Sequence, residues 1–232
     1  MKTYRIHNSE ISITQAIGIQ QKLSNEIFRR TEFNTPRFIG GVDMSGQNSE
    51  GTARAAVVVL SYPELEIIEV KTAEDNLVFP YIPGLLSFRE APLILAAFQK
   101  LSTKPELVIV DGQGIAHPRR LGLASHLGLL LDISTIGCAK SRLCGWHEPL
   151  ESKAGTFTDL VDNDETIGAV VRTKTNVKPV YVSIGHRIDL PTSIHWTMEC
   201  CRGYRLPEPT RLAHLAAGGK LAIKANVKGK RT

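Results

Sequence analysis

Apolar side chains fall in short blocks whose period changes along the chain. Residues 14 to about 30 place Ile17, Leu23 and Ile27 at helical spacing, with Thr14 positioned as a cap, and predict a first helix. Three strands are then expected at 38–43, 53–60 and 66–71, the last after a Ser61-Tyr62-Pro63 turn. Their close spacing predicts an antiparallel meander. Residues 79–84, Phe-Pro-Tyr-Ile-Pro-Gly, have to be irregular, because two prolines and a glycine interrupt any ladder. A helix over 88 to about 101 follows, with Ser87 as its cap and Glu90 in its first turn. Residues 106–111 predict a buried strand that ends on Asp111, ahead of Gly112-Gln113-Gly114. A helix is expected at 123–131 and a strand at 133–139. The stretch 145–165 is polar and predicts turns around an irregular excursion. Strands at 167–173 and 180–184 come next. Asp189 is expected to cap a helix starting at Pro191, and a last helix starts near Pro209 and includes His214. This order predicts an α/β fold, a central mixed β-sheet flanked by helices, in one domain over 1–232.

Composition adds limits. The chain is 42% hydrophobic and 22% charged, as in ordinary globular proteins. No apolar run approaches the roughly 18 residues that span a bilayer. Met1 to Arg5 lead into polar residues, so no signal peptide is expected and a cytoplasmic location is. Cys138, Cys144, Cys200 and Cys201 have no zinc-site spacing and are expected as free thiols in a reducing compartment. The net charge of +5 permits a polyanionic partner. A basic tail from about 218 carries Lys220, Lys224, Lys228, Lys230 and Arg231 and no acid. It reads either as a solvated tail or as a phosphate contact.

Asp43 and Asp111 each end an apolar strand and precede small or glycine-rich residues. Strand ends in mixed sheets hold a side chain rigidly beside an open loop. Glu90 joins them because of the fixed Pro-Gly loop before it. Taken alone, each acid reads as a turn or helix-end residue. Together, three carboxylates suit a hard cation, Mg²⁺ with Mn²⁺ as a substitute, rather than zinc. Such a cation activates water and offsets the repulsion between carboxylates and a phosphodiester.

Several strings carry a family resemblance: Gly41-Val42-Asp43, the run from Pro80-Tyr81-Ile82-Pro83 to Glu90, and Asp111-Gly112-Gln113-Gly114-Ile115-Ala116-His117-Pro118-Arg119. Gly122 to Gly128, Gly137 to Lys140, Gly185 to Ile188 and Leu206 to His214 continue it in order. The chain resembles endonuclease V. The resemblance implies a ribonuclease H-like fold and a Mg²⁺-dependent DNA repair endonuclease that recognises deoxyinosine in double- or single-stranded DNA. It implies hydrolysis of the second phosphodiester 3′ to the lesion, leaving 3′-hydroxyl and 5′-phosphate ends. Carried over by position, Asp43, Glu90 and Asp111 match the metal carboxylates, Lys140 a catalytic lysine, and His214 a further active-site residue. Tyr81 matches a wedge that enters the duplex beside the extruded base, and His117 a residue near the lesion pocket.

Physical chemistry suits those roles. A stacked base is inspected by extrusion. Two prolines stiffen the wedge loop, and an aromatic face can stack on the bases left behind. Pro80, Ile82, Pro83, Gly84, Leu86, Gly112, Gly122 and Leu123 are the further candidates for contact with the base, through backbone groups brought close by glycine. Arg119, Arg120 and Arg142 are candidate phosphate contacts. The expected partner is an inosine-containing strand, bound by a monomer and away from membranes. Three other readings stand beside it: an inosine-specific ribonuclease on single-stranded RNA, a non-catalytic damaged-base-binding protein, and a junction resolvase on the same fold.

Overall fold

The computed structural model describes residues 11–221, so the basic run from 222 and the first ten residues lie outside it. Helix α1 (Ile13–Ser24) opens on Ser12 rather than Thr14. The Ser12 hydroxyl accepts from the Gln15 N–H, and the Gln15 side chain accepts from the Ser12 N–H, a reciprocal capping box. The helix stops at Ser24, short of the expected 30. The Phe28 N–H donates instead to His186 Nδ1 and its carbonyl accepts from Arg187, so tertiary bonds replace the next helical turn.

Strands β1 (Phe38–Met44), β2 (Thr52–Ser61) and β3 (Ile67–Asn76) form the expected meander, with Val42 opposite Val57 and Val58 opposite Val70. Helix α2 (Leu86–Phe98) leads to β4 (Leu107–Val110), and α3 (Leu123–Leu131) to β5 (Ser134–Ala139). Both strands run parallel to β1, which is why helical crossovers precede them. Ser87 lies inside α2 rather than at its cap, its hydroxyl held by His126 Nδ1. Glu90 accordingly sits beyond the first turn.

The polar stretch before residue 165 corrects the sequence reading. It contains a strand, β6 (Phe157–Asp162), paired with β7 (Glu165–Val171) through Asn163-Asp164, both at positive φ. Only Leu160 of β6 is buried, so this edge strand lacks the apolar run that marks the others. Strand β8 (Val180–His186), α4 (Leu190–Glu199) and α5 (Glu208–Ala217) are the last elements among the described residues. Asp189 caps α4 as expected, accepting from the Thr192 N–H.

The eight strands lie in the order β3-β2-β1-β4-β5-β8-β7-β6. Helices cover both faces. Ile39, Leu107, Ile109 and Ile136 pack with Trp196 of α4 and Leu212 and Ala213 of α5. Val42, Val108 and Val110 pack with Ile94 of α2 and Leu127 of α3 on the other side. Helix α5 rides directly on β1: a Cβ on Gly41 would stand 1.9 Å from the Pro209 carbonyl oxygen. The four cysteines are free thiols. Among the described residues no helix is long and apolar enough to cross a membrane.

Candidate metal centre and base pocket

The parallel pairing of β1 and β4 brings the first two acids together. Val42 is in register with Val110, and the Asp111 N–H donates to the Val42 carbonyl, so Asp43 and Asp111 leave neighbouring strand ends side by side. Lys140 follows the end of β5, the next parallel strand, and its ammonium pairs with Asp111 Oδ2. Helix α5 brings His214 over the same strand ends, its Nδ1 2.6 Å from Asp43 Oδ2. Glu90 arrives from α2. Burial, then Asp43 and Asp111, push its carboxyl up to about 8, against a smaller pull from Arg89. Burial and Asp43 also raise Asp111, opposed by Lys140 and His214.

The structure therefore gathers Asp43, Glu90, Asp111, Lys140 and His214 at one end of the central strands β1, β4 and β5. One ligand atom each from Asp43, Asp111 and His214 lie within 4.8 Å of one another. Lys140 meets Asp111 as a close ion pair. Asp111 Oδ2 is buried, with the Lys140 ammonium as its partner among the described residues. A buried, electron-rich oxygen among carboxylates fits a hard divalent cation.

A cavity of about 370 Å³ opens beside this cluster. Tyr81, Ile82, Pro83, Gly84, Leu86, Gly112, His117, Gly122 and Leu123 all line it, with Asp111 and Lys140 on the side of the carboxylates. Pro80 is not on its wall. Tyr81 is 71% exposed, at the mouth. The N-terminal ends of two helices face this space, α2 through Leu86 and Ser87 and α3 through Gly122 and Leu123. Neither N-terminus takes a side-chain cap. The Gly122 and Ala124 N–H groups already donate to the Gly114 and Gln113 carbonyls, and those of Leu85 and Phe88 to the Ile82 and Leu85 carbonyls, so only the remaining first-turn N–H groups are candidate donors toward the cavity.

The loop that carries Tyr81 is pinned at Gly84. That residue has φ +78°, and its carbonyl oxygen accepts from Gln20 Nε2 (2.9 Å), His117 Nε2 (3.0 Å) and Arg119 Nη2 (2.7 Å). His117 Nδ1 accepts from the Arg119 N–H, so the neutral ring carries its proton on Nε2. Burial, then the Arg119 charge, depress this histidine to about 4. Arg119 is turned inward, also donating to Gln20 Oε1, and is not a free phosphate contact. Arg120 is likewise engaged, with Glu165 and Asp162. Arg142 lies exposed on the cavity wall. Sequence reasoning missed Gln20, Gln113, Leu121, Ser141 and Leu143 on this wall. Gln113 stood inside the Asp-Gly-Gln-Gly string, which was the available signal for it.

The sequence profile of endonuclease V matches residues 21–215. The chain belongs to the endonuclease V family. An endonuclease V from Nostoc punctiforme is 50% identical over 222 residues, covering 95% of this chain and all of the relative. The crystal structure of endonuclease V from Streptomyces avermitilis is 36% identical. It superposes with a TM-score of 0.86 and covers 91% of this chain and 94% of its own. Endonuclease V of Ciona intestinalis, 28% identical with a TM-score of 0.78 over 90% of this chain and 97% of its own, was crystallised with DNA containing an inosine followed by a ribo-adenosine. The family is one of nucleases, and the fold is ribonuclease H-like.

Proposed function

We propose that this protein is a DNA repair endonuclease that nicks beside deoxyinosine, at the second phosphodiester on the 3′ side, leaving 3′-hydroxyl and 5′-phosphate ends. It acts as a single-domain monomer in the cytoplasm. The observation that carries the reading is the contact between two parts of one site. A base-sized cavity with Tyr81 at its mouth shares Asp111 and Lys140 with the carboxylate cluster. The Ciona relative, crystallised on inosine-containing DNA, supports the same substrate.

The chemistry follows from the groups present. Asp43, Glu90 and Asp111 would hold Mg²⁺, which when bound would supply an activated water and offset charge on the phosphate. His214 holds Asp43 in place, and Lys140 stands where charge develops on the phosphodiester oxygens. Tyr81 stacks in the gap left by the extruded base. The first-turn N–H groups of α2 and α3 that are not bonded to the Leu85, Gly114 or Gln113 carbonyls offer donors to O6 and N7 of hypoxanthine. Adenine presents an amino donor where hypoxanthine has O6, so the same N–H groups reject it.

A duplex with a single inosine, incubated with Mg²⁺ and with the cut mapped, tests this. The expected result is one nick at the stated bond, abolished by chelator and by Asp43→Ala. Nicking of matched undamaged duplex at the same rate, or nicking untouched by chelator, sinks it. One observation favours a second reading: the Ciona ligand carries a ribonucleotide after its inosine. Faster cleavage of inosine in single-stranded RNA than in matched DNA would assign the chain to RNA instead.

A further inference from the structure

Gln20 belongs to α1, one residue before the stretch matched by the family profile. Its side chain is 1% exposed, although glutamine in a helix near the surface usually faces water. Both of its amide hydrogens are used. One goes to the Gly84 carbonyl at 2.9 Å, the other to the Leu121 carbonyl at 3.0 Å. Its oxygen accepts from Arg119 Nε. The amide orientation is therefore fixed, because a flip would set its oxygen against two carbonyl oxygens.

The two carbonyls it joins are the informative part. Gly84 lies just before α2, and Leu121 lies just before Gly122, the N-cap of α3. One buried amide thus spans the starts of the two helices that line the cavity. A second, apolar contact holds the same loop to the same helix: Ala16 of α1 packs with Leu85 and Phe88, flanked by Ile17, Ile19, Phe79 and Ile82. The Gly84 carbonyl, already accepting from three donors, has no lone pair left for a base.

We propose that Gln20 is a positioning residue for base recognition, setting the separation of the α2 and α3 N-termini and the stiffness of the Tyr81 loop. This rests on the inosine reading for its consequence in catalysis, but not for its structural content. Losing the two donors takes from the Leu121 carbonyl its side-chain partner, cuts the tie between that carbonyl and Gly84, and lets the loop start move relative to α3. Arg119 and His117 retain the Gly84 end only.

Two variants separate the donor role from the contact with Arg119. Gln20→Leu removes all three bonds, and Gln20→Glu keeps an acceptor for Arg119 but removes both donors. In each, amide exchange at Leu85 and Gly122 is expected to rise about tenfold, while β4 amides keep their protection. The preference for inosine over a matched adenine strand is expected to fall about tenfold. Most of that fall lies in the half-saturating strand concentration rather than in the saturated nicking rate. Unchanged exchange at Leu85 and Gly122 in both variants overturns the proposal whatever the activity. So does a lowered melting temperature with intact inosine preference, which would make Gln20 a stability residue alone. A wild-type protein with no inosine preference would overturn the proposed function instead, and the exchange data would still decide the positioning role.

Discussion

His214 Nδ1 stands 2.6 Å from Asp43 Oδ2 across a sequence separation of 171 residues. The pair joins the first strand of the sheet to its last helix. The histidine is well exposed and the aspartate nearly buried, so the imidazole covers the carboxylate from the solvent side. An orienting partner of this kind fixes which carboxylate oxygen faces the cation. His214→Ala is expected to lower Mg²⁺ affinity and nicking about 10- to 100-fold, with little change in melting temperature. Magnesium titrations of the nicking rate check this, and an unchanged titration midpoint would remove His214 from the site.

The distance across that pair depends on a missing side chain. A methyl on Gly41 would stand 1.9 Å from the Pro209 carbonyl oxygen, and backbone on both sides leaves no room to yield. Gly41→Ala is expected to lift α5 from β1, destabilise the fold by about 1–3 kcal/mol, and reduce nicking at least as much as His214→Ala. Chemical unfolding beside activity tests the coupling. A variant of normal stability and full activity would show that α5 can dock elsewhere.

Three acids held together favour a cation over a folded, empty site. Glu90, buried and raised to about 8 by that burial and by its two neighbours, is the member most easily relieved. Glu90→Gln is expected to stabilise the metal-free protein by about 1–2 kcal/mol at neutral pH while abolishing Mg²⁺-dependent nicking. Added Mg²⁺ should raise the melting temperature of the wild type more than that of the variant. Equal shifts in the two proteins would argue that Glu90 takes no part in holding the ion.

The pH dependence of stability has two opposing contributions. His117 and His186 are buried and both depressed to about 4, largely by burial and then by Arg119 and Arg187 respectively. Between about 4 and the ordinary 6.5, the unfolded chain binds protons that the folded one does not. Stability is therefore whole above 6.5 and falls as pH drops toward 4. Glu90 acts in the reverse sense, since its folded carboxyl keeps a proton that the unfolded chain releases above 4.5. Measured in Glu90→Gln, where Glu90's opposing trend is gone and only the raised Asp111 carboxyl still acts in that sense, unfolding free energy is expected to fall by about 2–4 kcal/mol between pH 7 and 5. A flat profile would mean that one histidine or both accept a proton without disrupting the fold.

Much of this architecture was legible in the chain because its central strands are apolar throughout. Residues 106–111 announced both a buried strand and the acid at its end, and the meander followed from short spacing and a proline turn. Glu90 was legible only through the Pro-Tyr-Ile-Pro-Gly string, since helical position gave it no distinction. Strand β6 was hidden because an edge strand needs to bury one face of one residue, and Leu160 alone carries that burden. Arg119 looked like a surface cation, and its inward turn depends on Gly84 and Gln20, which sequence does not bring together. Gln20 itself had no signal, since a buried amide and a solvated one are the same letter. The alignment of Asp43 with Asp111 needed the parallel pairing of β1 and β4, a fact about neighbours in space rather than along the chain.

The dependence of the site on α5 also bears on the order in which a growing chain becomes competent. The carboxylates and the lysine are complete by residue 140, but the imidazole over Asp43 arrives only at 214, on the last described helix. A partly synthesised chain folded as far as α4 would hold the acids without that cover. On the role proposed for His214, competence is thereby deferred until α5 has been made, and a chain lacking α5 loses the histidine together with the apolar cover that Leu212 and Ala213 give the sheet.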